Sequence, residues 1–528
     1  MTRVLGLEGT AWAASAAVFD ADAEALLSLV TDPYEPESGG IHPREAAEHM
    51  QAALPATIES ALDEAGRDVD AVAFSRGPGL GPCLRICGTA ARTLAQALDV
   101  PLVGVNHMVA HLEVGRRLSG FDDPIGLNAS GANAHVLGHR AGRYRVLGET
   151  MDTGVGNAID KFARHVGFGH PGGPKVEAAA ERGELIELPY VVKGMDFSFS
   201  GLTSAAQDAV DGGEELADVC FSLQETVFAM LTEVAERGLS LTDRDELVLG
   251  GGVGNNDRLR GMLAEMCAAR GAQFFAPEPG LLGDNAGMIA MLGAAMAAAG
   301  DTIPVDDSAV RPDFRPDEVP VTWRDSGAEV GEDRATSSTV RGAEAVVELG
   351  EESVRKRRVP KPYRHPELDA RLRRERTAAE ARLLAEARRQ GVPTPVVRDL
   401  DPYAAELVLQ RVGDRELRES PSKGGVRAVA RYLAALHDAG LVHGDPTTRN
   451  VRIDGRAALI DFGLGYHSDD VEDYAMDLHV LVQSLEGTAD DPDPLVEAAR
   501  SAYAAAGASV VLDRLDEIEG RGRYRKAG

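Results

Sequence analysis

Short apolar runs alternate with longer alanine-rich segments through the first 300 residues, and this alternation restricts the fold more than any other feature. Short apolar runs are typical of buried strands, whereas the longer segments have the length of helices. Strands separated by helices indicate an α/β sheet fold. The predicted strands are residues 4–7, 71–74, 102–105, 146–148 and 246–249. The predicted helices are residues 43–64, 89–98, 221–238 and 258–270.

The composition changes between residues 301 and 341, where Asp, Pro, Ser, Thr and Glu become frequent. Such a composition is typical of a linker. A single hydrophobic core stops growing near about 250–300 residues, so a chain of 528 residues has room for two domains. We predict domains at residues 1–324 and 340–528 with a linker at 325–339. The second domain begins with a predicted strand at 345–349, followed by helices at 368–390 and 426–439.

Two histidines one helical turn apart, His107 and His111, follow the apolar run 101–105. Positions i and i+4 of a helix face the same way, so both side chains can bind one ion. Two core or capping histidines are the alternative. Met108 stands where the HExxH motif of zinc proteases has its Glu, which argues against a metalloprotease. Asp284, in the glycine-flanked GLLGDNAG, is the candidate third ligand; two His and one carboxylate suit Fe(II), with Zn²⁺ as the alternative.

Glycine turns follow predicted strands at two distant places, in VLGLEGTAWAASAAVF and in LVLGGGVGNN. The first predicts a β-hairpin, and the second predicts a strand, a glycine turn and a helix start. Backbone N–H groups of such turns bind phosphate or sugar oxygens. A plain tight turn is the alternative for either one alone. Together they favour a two-lobed nucleotide-binding fold of the actin and sugar-kinase type.

The segments HGDPTTRN and LIDFG have the spacing of the catalytic and magnesium-binding loops of a kinase. Phosphoryl transfer from ATP needs one carboxylate at the acceptor hydroxyl and two groups that hold Mg²⁺. Asp445 is the candidate proton acceptor, and Asn450 and Asp461 are the candidate Mg²⁺ ligands. Lys356 on a strand and Glu380 on the next helix are the candidate pair that holds the ATP phosphates.

Two departures make this second domain an atypical, minimal α+β kinase or ATPase. RGAEAVVELG has one early glycine, Gly342, where most kinases have a G-x-G-x-x-G loop. Gly444 replaces the usual Arg of the catalytic loop, so a phosphorylated activation loop has no anchor there.

The net charge of −29, with only seven lysines, is similar to that of proteins from salt-loving microbes. An acidic chain argues against nucleic-acid binding unless basic residues are concentrated locally. Residues 355–398 are such a segment, with 14 Lys or Arg and five Asp or Glu. A solvated helix face and a phosphate- or RNA-binding surface both explain it.

The four cysteines form no disulfide or zinc pattern, and no run is long and apolar enough for a membrane helix, so we expect a cytoplasmic protein.

The motifs, taken in order, carry a family resemblance. Residues 1–324 resemble the universal tRNA threonylcarbamoyltransferase, and the remainder resembles the small atypical kinase of the KEOPS complex, fused in one chain as in some archaea. The first resemblance rests on GLEGTA, NHMVAH, SGAN, ETMDTGVGNAIDKFAR, HPGGPKVE, FSFSGL, GGGVGNN, GLLGDNAGMIA and DFRPDEVPVTWR. The second rests on RTAAEARLL, HGDPTTRN, IDFGLG, VEDYAMDLHVL and GRGRYR.

The resemblance implies a reaction at the first domain. Threonylcarbamoyl-AMP, made by another enzyme, binds between the lobes. The acceptor is N6 of adenosine 37 in tRNAs that read codons starting with adenine. This nitrogen attacks the carbamoyl carbon, and AMP leaves. The metal polarises the carbamoyl oxygen or holds the threonyl part. Relatives carry a metal-reaching Tyr where this chain has Asn128, which is therefore either a further ligand or a substrate contact only. The implied adenylate contacts are Asn128, Ala129, Ser130, Gly131, Ala132, Asp160, Gly173, Glu177 and Asn256.

The resemblance also implies that the second domain binds Mg-ATP and hydrolyses it to drive tRNA release or a conformational cycle. Partners implied are tRNA and the other KEOPS subunits, one a small dimerising subunit and one that activates the kinase. The terminal Arg521, Arg523, Arg525 and Lys526 are candidate tRNA contacts. Two alternatives stay open: a protein Ser/Thr kinase with a regulatory nucleotide-binding domain, and a tRNA-binding scaffold without turnover.

Overall fold

The computed structural model describes residues 2–34, 42–140, 142–324 and 339–521. The predicted linker lies outside these residues except for Thr339, and so do Arg523, Arg525 and Lys526. Within the described residues, no helix is long and apolar enough to cross a membrane.

The first lobe is a five-stranded sheet in the order β3-β2-β1-β4-β5. Strands β1, β2 and β3 form an antiparallel meander, and β4 and β5 extend it in parallel on the other side of β1. Apolar residues of β1, β2 and β4 are buried, which places the core of this lobe at the centre of the sheet. The strands are β1 Arg3–Glu8, β2 Ala13–Asp20, β3 Ala25–Pro33, β4 Ala71–Gly77 and β5 Leu102–Asn106, and the helices are α1 Pro43–Ala65, α2 Gly81–Leu98 and α3 His107–Ser119.

The second lobe repeats this topology with strands β6 Ile125–Ala129, β7 Ala134–Arg140, β8 Arg143–Glu149, β11 Glu246–Gly250 and β12 Gln273–Phe275, in the order β12-β11-β6-β7-β8. A meander of β6, β7 and β8 is again extended by two parallel strands, so the two-lobed α/β fold is confirmed. A short ribbon pairs β9 Val192–Lys193 with β10 Asp196–Phe197. The helices are α4 Val155–His165, α5 Gly173–Ala180, α6 Ser200–Asp211, α7 Leu216–Thr242, α8 Asp257–Arg270, α9 Pro279–Leu282 and α10 Ala286–Ala298.

The C-terminal part begins with a five-stranded antiparallel sheet in the order β13-β14-β15-β17-β16, crossed by one long helix, and continues with a mainly helical region. The sheet and its helix are β13 Thr339–Arg341, β14 Ala345–Leu349, β15 Ser353–Arg358, α11 Pro366–Arg389, β16 Val397–Asp401 and β17 Glu406–Gln410. The remaining elements are β18 Arg415–Glu416, α12 Lys423–Asp438, β19 Leu441–Val442, β20 Val451–Asp454, β21 Arg456–Leu459, β22 Tyr466–His467, α13 Val471–Thr488, α14 Asp493–Ala504 and α15 Ser509–Arg521. Short 3₁₀ helices are Gly252–Asn255, Val305–Asp307, Pro316–Glu318, Leu417–Glu419 and Thr448–Asn450.

The predicted strands and helices are confirmed, although their ends move. The largest change is in α7, which was predicted at 221–238 and runs from Leu216 to Thr242. Its residues are buried on nearly every side because the second lobe covers one face and the C-terminal part covers another. Glu233 and Arg237 are among them.

Candidate functional sites

The two histidines of the first candidate site begin α3 directly after the parallel strand β5. Asn106 caps the helix, since its Oδ1 accepts hydrogen bonds from N–H of Met108 at 3.0 Å and of Val109 at 3.1 Å. The cap sets His107 in the first turn and His111 one turn later. Their rings meet edge to face, with centroids 4.8 Å apart.

Asp284 approaches both histidines from the loop before α10. Its Oδ1 lies 3.3 Å from Nε2 of His107 and 3.2 Å from Nε2 of His111. Ligand atoms held at about 2.0–2.2 Å by a tetrahedral ion lie about 3.3–3.6 Å apart, so the three residues fit one divalent ion. The three ligand atoms all lie within 4.8 Å of one another.

Charges in this pocket favour a cation. Burial alone would lower the pKa of His107, but the carboxylates of Glu8 and Asp284 outweigh it and raise the pKa to about 10. Burial alone would raise the pKa of Asp284, but the two histidines lower it. Burial lowers the pKa of His111. The pocket therefore attracts positive charge, and a neutral His111 has one ring nitrogen with a lone pair that can bind an ion.

Sequence reasoning did not assign Glu8 a role at this site. Its Oε2 lies 3.0 Å from Nδ1 of His107, opposite the nitrogen that faces Asp284. The only sequence signal is an acidic residue directly after the apolar run at residues 4–7 of strand β1.

Asn128 is the penultimate residue of the buried strand β6, beside the histidine helix. Its Nδ2 donates to Sδ of Met108 at 3.4 Å, and its Oδ1 is buried with no hydrogen-bond partner in the described part of the chain. An oxygen without a partner is available to a ligand. Whether that ligand is the metal or the substrate stays a prediction.

The predicted adenylate contacts lie around three helix N-termini of the second lobe. The turn at residues 129–133 packs on the start of α4, where the N–H of Gly156 donates to O of Ser130 at 3.1 Å and that of Asn157 donates to O of Gly131 at 2.9 Å. A Cβ on Gly154 would lie 2.2 Å from the carbonyl carbon of Ala132, so this approach requires glycine. The turn therefore presents the residues that follow β6 at a helix start, where anions bind favourably.

The other predicted contacts join the same face. Asp160 on α4 accepts a hydrogen bond from N–H of Gly172 at 2.7 Å, directly before Gly173 at the start of α5. Glu177 on α5 accepts one from N–H of Asp257 at 3.1 Å, beside Asn256, which caps α8. Burial raises the pKa of Glu177. These carboxylates have the chemistry to accept hydrogen bonds from ribose hydroxyls.

The second candidate site lies in the C-terminal part, where Lys356 on β15 connects two carboxylates. Its Nζ lies 2.8 Å from Oε1 of Glu380 on α11 and 2.7 Å from Oδ1 of Asp461. Burial alone would raise the pKa of Asp461, but Lys356 and Arg358 lower it to about 2. Asp461 is therefore ionised, as a Mg²⁺ ligand must be.

Asp445 and Asn450 are neighbours, and they line the same cavity as Lys356 and Asp461. Nδ2 of Asn450 donates to Oδ2 of Asp445 at 2.9 Å. Asp477 on α13 holds the loop by accepting hydrogen bonds from N–H of His443 at 2.7 Å and of Gly444 at 2.8 Å. Burial raises the pKa of Asp445 to about 7, in the range where a carboxylate can exchange a proton.

A cavity of about 200 Å³ is lined by all the residues predicted for ATP and magnesium. Gly342 closes the turn over it, with its N–H donating to O of Ala345 at 2.8 Å. One wall comes from the first domain: Met195, Arg237, Ser240 and Leu241 also line the cavity. The sequence contained no sign that α7 would contribute here.

The basic segment 355–398 divides into two groups. Five of its residues are buried, which neither a solvated helix face nor an RNA surface predicts. Lys361, Arg364 and Arg376 pair with Glu236 and Glu233 of α7. The buried residues are Lys356, Arg358, Lys361, Arg364 and Arg376. For the remaining basic residues both interpretations stay open.

Comparisons with known proteins include one family model and several relatives of nearly full length. The family model for TsaD, tRNA N6-adenosine threonylcarbamoyltransferase, matches residues 25–291. A protein of Halobacterium salinarum is 68% identical over 99% of each chain. One of Haloarcula marismortui is 63% identical over 99% of this chain and 100% of its own. One of Methanospirillum hungatei is 53% identical over 99% of each chain. All three are described as probable bifunctional tRNA threonylcarbamoyladenosine biosynthesis proteins.

Proposed function

The chain belongs to the family of bifunctional tRNA threonylcarbamoyladenosine biosynthesis proteins, and from this premise we propose a transfer site in residues 1–324 and an ATP site in residues 340–528. The protein is an enzyme of tRNA modification that transfers the threonylcarbamoyl group to N6 of adenosine 37. The convergence of His107, His111 and Asp284 at the start of α3 is the observation that carries the transfer site.

At the transfer site, the three converging residues hold Fe(II) or Zn²⁺. A bound divalent ion supplies Lewis acidity, which polarises a carbonyl oxygen. The turn at residues 129–133 binds the adenylate phosphate through backbone N–H groups, beside the start of α4. Asp160 and Glu177 accept hydrogen bonds from the ribose, and Asn256 lies at the start of α8 next to Asp257, whose N–H binds Glu177. The residues thereby hold the carbamoyl carbon between the metal ligands and the incoming adenosine.

At the ATP site, the C-terminal part takes the fold of a minimal protein kinase. A five-stranded antiparallel sheet, a long helix that bears Glu380, and a Lys356–Glu380 pair support this proposal. Lys356 binds the ATP phosphates, and Asn450 and Asp461 bind Mg²⁺. Asp445 orients the nucleophile.

We propose hydrolysis of ATP in preference to protein phosphorylation. Arg237 of α7 donates to Oδ2 of Asp445 at 3.1 Å, so the carboxylate that a protein hydroxyl would have to reach is already engaged by another helix of the chain. A water molecule is smaller than a protein segment and needs less space beside this carboxylate. This observation disfavours the alternative of a protein Ser/Thr kinase with a regulatory first domain.

The remaining partners follow from the same reaction. Threonylcarbamoyl-AMP is supplied by another enzyme, tRNA is the acceptor, and further KEOPS subunits, one dimerising and one activating, assemble with the chain in the cytoplasm. The exposed arginines of α11 offer one surface for tRNA phosphates.

The test uses the full chain in high salt with unmodified tRNA, threonylcarbamoyl-AMP and the other subunits. Mass spectrometry of digested tRNA follows the modified nucleoside, and phosphate release follows ATP hydrolysis. His107→Ala is expected to lose the nucleoside and keep hydrolysis, whereas Asp461→Asn is expected to lose hydrolysis. Absence of the nucleoside for the wild type, with all partners present, would contradict the transfer site.

A further inference from the structure

Glu8 ends strand β1 at the cleft and is completely buried, although no role described so far requires it. Its Oε1 accepts a hydrogen bond from N–H of Thr10 at 2.8 Å. Its Oε2 accepts one from Oγ of Ser75 and lies 3.0 Å from Nδ1 of His107. In the described part of the chain, no lysine or arginine forms an ion pair with it. A buried carboxylate whose charged neighbour is a metal-binding histidine is costly unless the site requires it.

Both ring nitrogens of His107 face carboxylates, Nδ1 facing Glu8 and Nε2 facing Asp284, and a ring that would bind a metal through Nε2 keeps its proton on Nδ1. An ionised carboxylate only accepts hydrogen bonds, so Nδ1 of His107 must donate to Glu8. Nε2, on the opposite side of the ring, then has the lone pair once the ring is neutral, and it is the atom that faces Asp284. Glu8 thus presents the metal-binding nitrogen to the site.

His111 provides the internal comparison. Its Nε2 also faces Asp284, but its Nδ1 is buried and has no hydrogen-bond partner among the described residues. Glu8 therefore acts on one of the two histidines. We propose that Glu8 is the positioning residue of the metal site, which orients His107, fixes its tautomer and adds negative charge behind it so that the site binds a divalent cation more tightly. This inference rests on the proposed metal-dependent transfer.

A neutral amide at position 8 could not replace the carboxylate. Both oxygens of Glu8 face donors, Thr10 on one side and His107 on the other. A Gln has one oxygen and one NH₂ group, so one of these donors would face another donor. Glu8→Gln is nearly equal in size and removes the negative charge as well as one acceptor.

The experiment measures metal binding by the full chain after removal of metal with a chelator, without tRNA or adenylate. Zn²⁺ affinity is obtained by competition with a chromogenic chelator, and Co²⁺ reports ligand geometry through its visible absorption. Outer-sphere partners of a metal-binding histidine typically change affinity by about 10–100-fold. Glu8→Gln is expected to weaken Zn²⁺ binding by about 10–100-fold and to alter the Co²⁺ spectrum. Unchanged affinity with an unchanged spectrum would overturn the proposal.

Glu113→Gln is the matched control. Glu113 is a buried glutamate on α3, the helix of the two histidines. It forms hydrogen bonds with Tyr144 and Arg116 and touches no metal ligand. It is expected to bind Zn²⁺ as the wild type does. Circular dichroism checks that the variants fold. If Glu8→Gln does not fold, Ser75→Ala removes one donor that holds the carboxylate and is expected to weaken Zn²⁺ binding by several-fold; no change there would equally overturn the proposal.

The outcome is separable from that of the proposed function. If wild-type protein with all partners forms no modified nucleoside but Glu8→Gln still loses metal affinity, the positioning role stands and the transfer site fails. If modification occurs and the metal affinity of Glu8→Gln is unchanged, the transfer site stands and the positioning role of Glu8 fails.

Discussion

Arg237 on α7 donates a hydrogen bond from Nη1 to Oδ2 of Asp445 at 3.1 Å, across 208 residues of sequence. The same guanidinium donates to Oε1 of Glu344 at 2.6 Å and to Oε1 of Glu233 at 3.0 Å. The ionisation of Asp445, which we propose orients the nucleophile, therefore depends on Arg237 of α7.

Replacing Arg237 with Ala is expected to shift the pH dependence of ATP hydrolysis. Burial already raises the pKa of Asp445 to about 7, and Arg237 opposes this rise. Without the guanidinium the pKa of Asp445 increases, so the activity that needs the ionised carboxylate appears at higher pH. We expect a shift of at least about one pH unit, which corresponds to about 1.4 kcal/mol. Initial rates of phosphate release between pH 6 and 9 measure it.

Arg418→Ala is the control for that shift. Arg418 joins the same interface by donating to Oδ2 of Asp243 at 2.6 Å, and it lies outside the contacts of Asp445. The control should leave the pH profile unchanged. An unchanged pH profile of Arg237→Ala would show that α7 does not affect the pKa of Asp445.

Glu233→Gln is expected to destabilise the packing of the C-terminal part against α7. Glu233 is buried and accepts hydrogen bonds from Arg237 and Arg376, each at 3.0 Å, and from Arg364. Removing one partner from a buried ionic network costs about 3–5 kcal/mol, because the remaining charges stay buried without compensation. The midpoint of thermal unfolding should fall, whereas Asp243→Asn, at a partly exposed pair, should cost less than about 1 kcal/mol.

The effect of Glu233→Gln should disappear in acid. Burial would raise the pKa of Glu233, but Arg376, Arg364 and Arg237 lower it. A carboxylate with a lowered pKa stabilises the fold above its unfolded pKa, about 4.3, and this stabilisation is lost as the pH falls through the folded value. A difference that persists at low pH would mean that packing, and not charge, explains the loss.

Asp196→Asn is expected to stabilise the protein increasingly as the pH rises. Burial and the nearby Glu149 raise the pKa of Asp196 to about 8. A carboxyl group with a raised pKa contributes its full stability below the unfolded pKa of about 3.9 and loses it as the pH rises to about 8. Asn never ionises and can still accept the hydrogen bond that N–H of Glu149 donates to Asp196 at 2.8 Å. Thermal midpoints at pH 6 and pH 9 test this, and an equal difference at both would contradict it.

Asn128→Ala is expected to reduce Zn²⁺ affinity by less than about 10-fold, below the range of strong outer-sphere effects. A neutral amide is a weak ligand, and its Nδ2 is already bonded to Met108. His111→Ala removes an imidazole that faces Asp284 and should abolish stoichiometric binding. Equal losses in the two variants would make Asn128 a ligand.

The strands and helices could be predicted because they depend on the local sequence pattern. The helix that bears Glu380 was predicted at 368–390 and is Pro366–Arg389, because its period and its flanking residues are local properties. The extent of α7 was underestimated, since its polar residues interrupt the apolar period. Buried Glu233 and Glu236 form ion pairs with Arg364 and Lys361 of the C-terminal part, which the local pattern of α7 does not show.

The sequence by itself determined what depends on spacing along the chain. His107 and His111 share a helix face, and Asp445, Asn450 and Asp461 stand at the intervals that magnesium and phosphate require. Only the tertiary structure decided what depends on the order of strands in a sheet. Because β1 lies at the centre of its sheet and β4 and β5 pair beside it, Glu8 reaches His107 across 99 residues. Because α7 packs against both the second lobe and the C-terminal part, Arg237 contacts Asp445, a contact that no local pattern encodes.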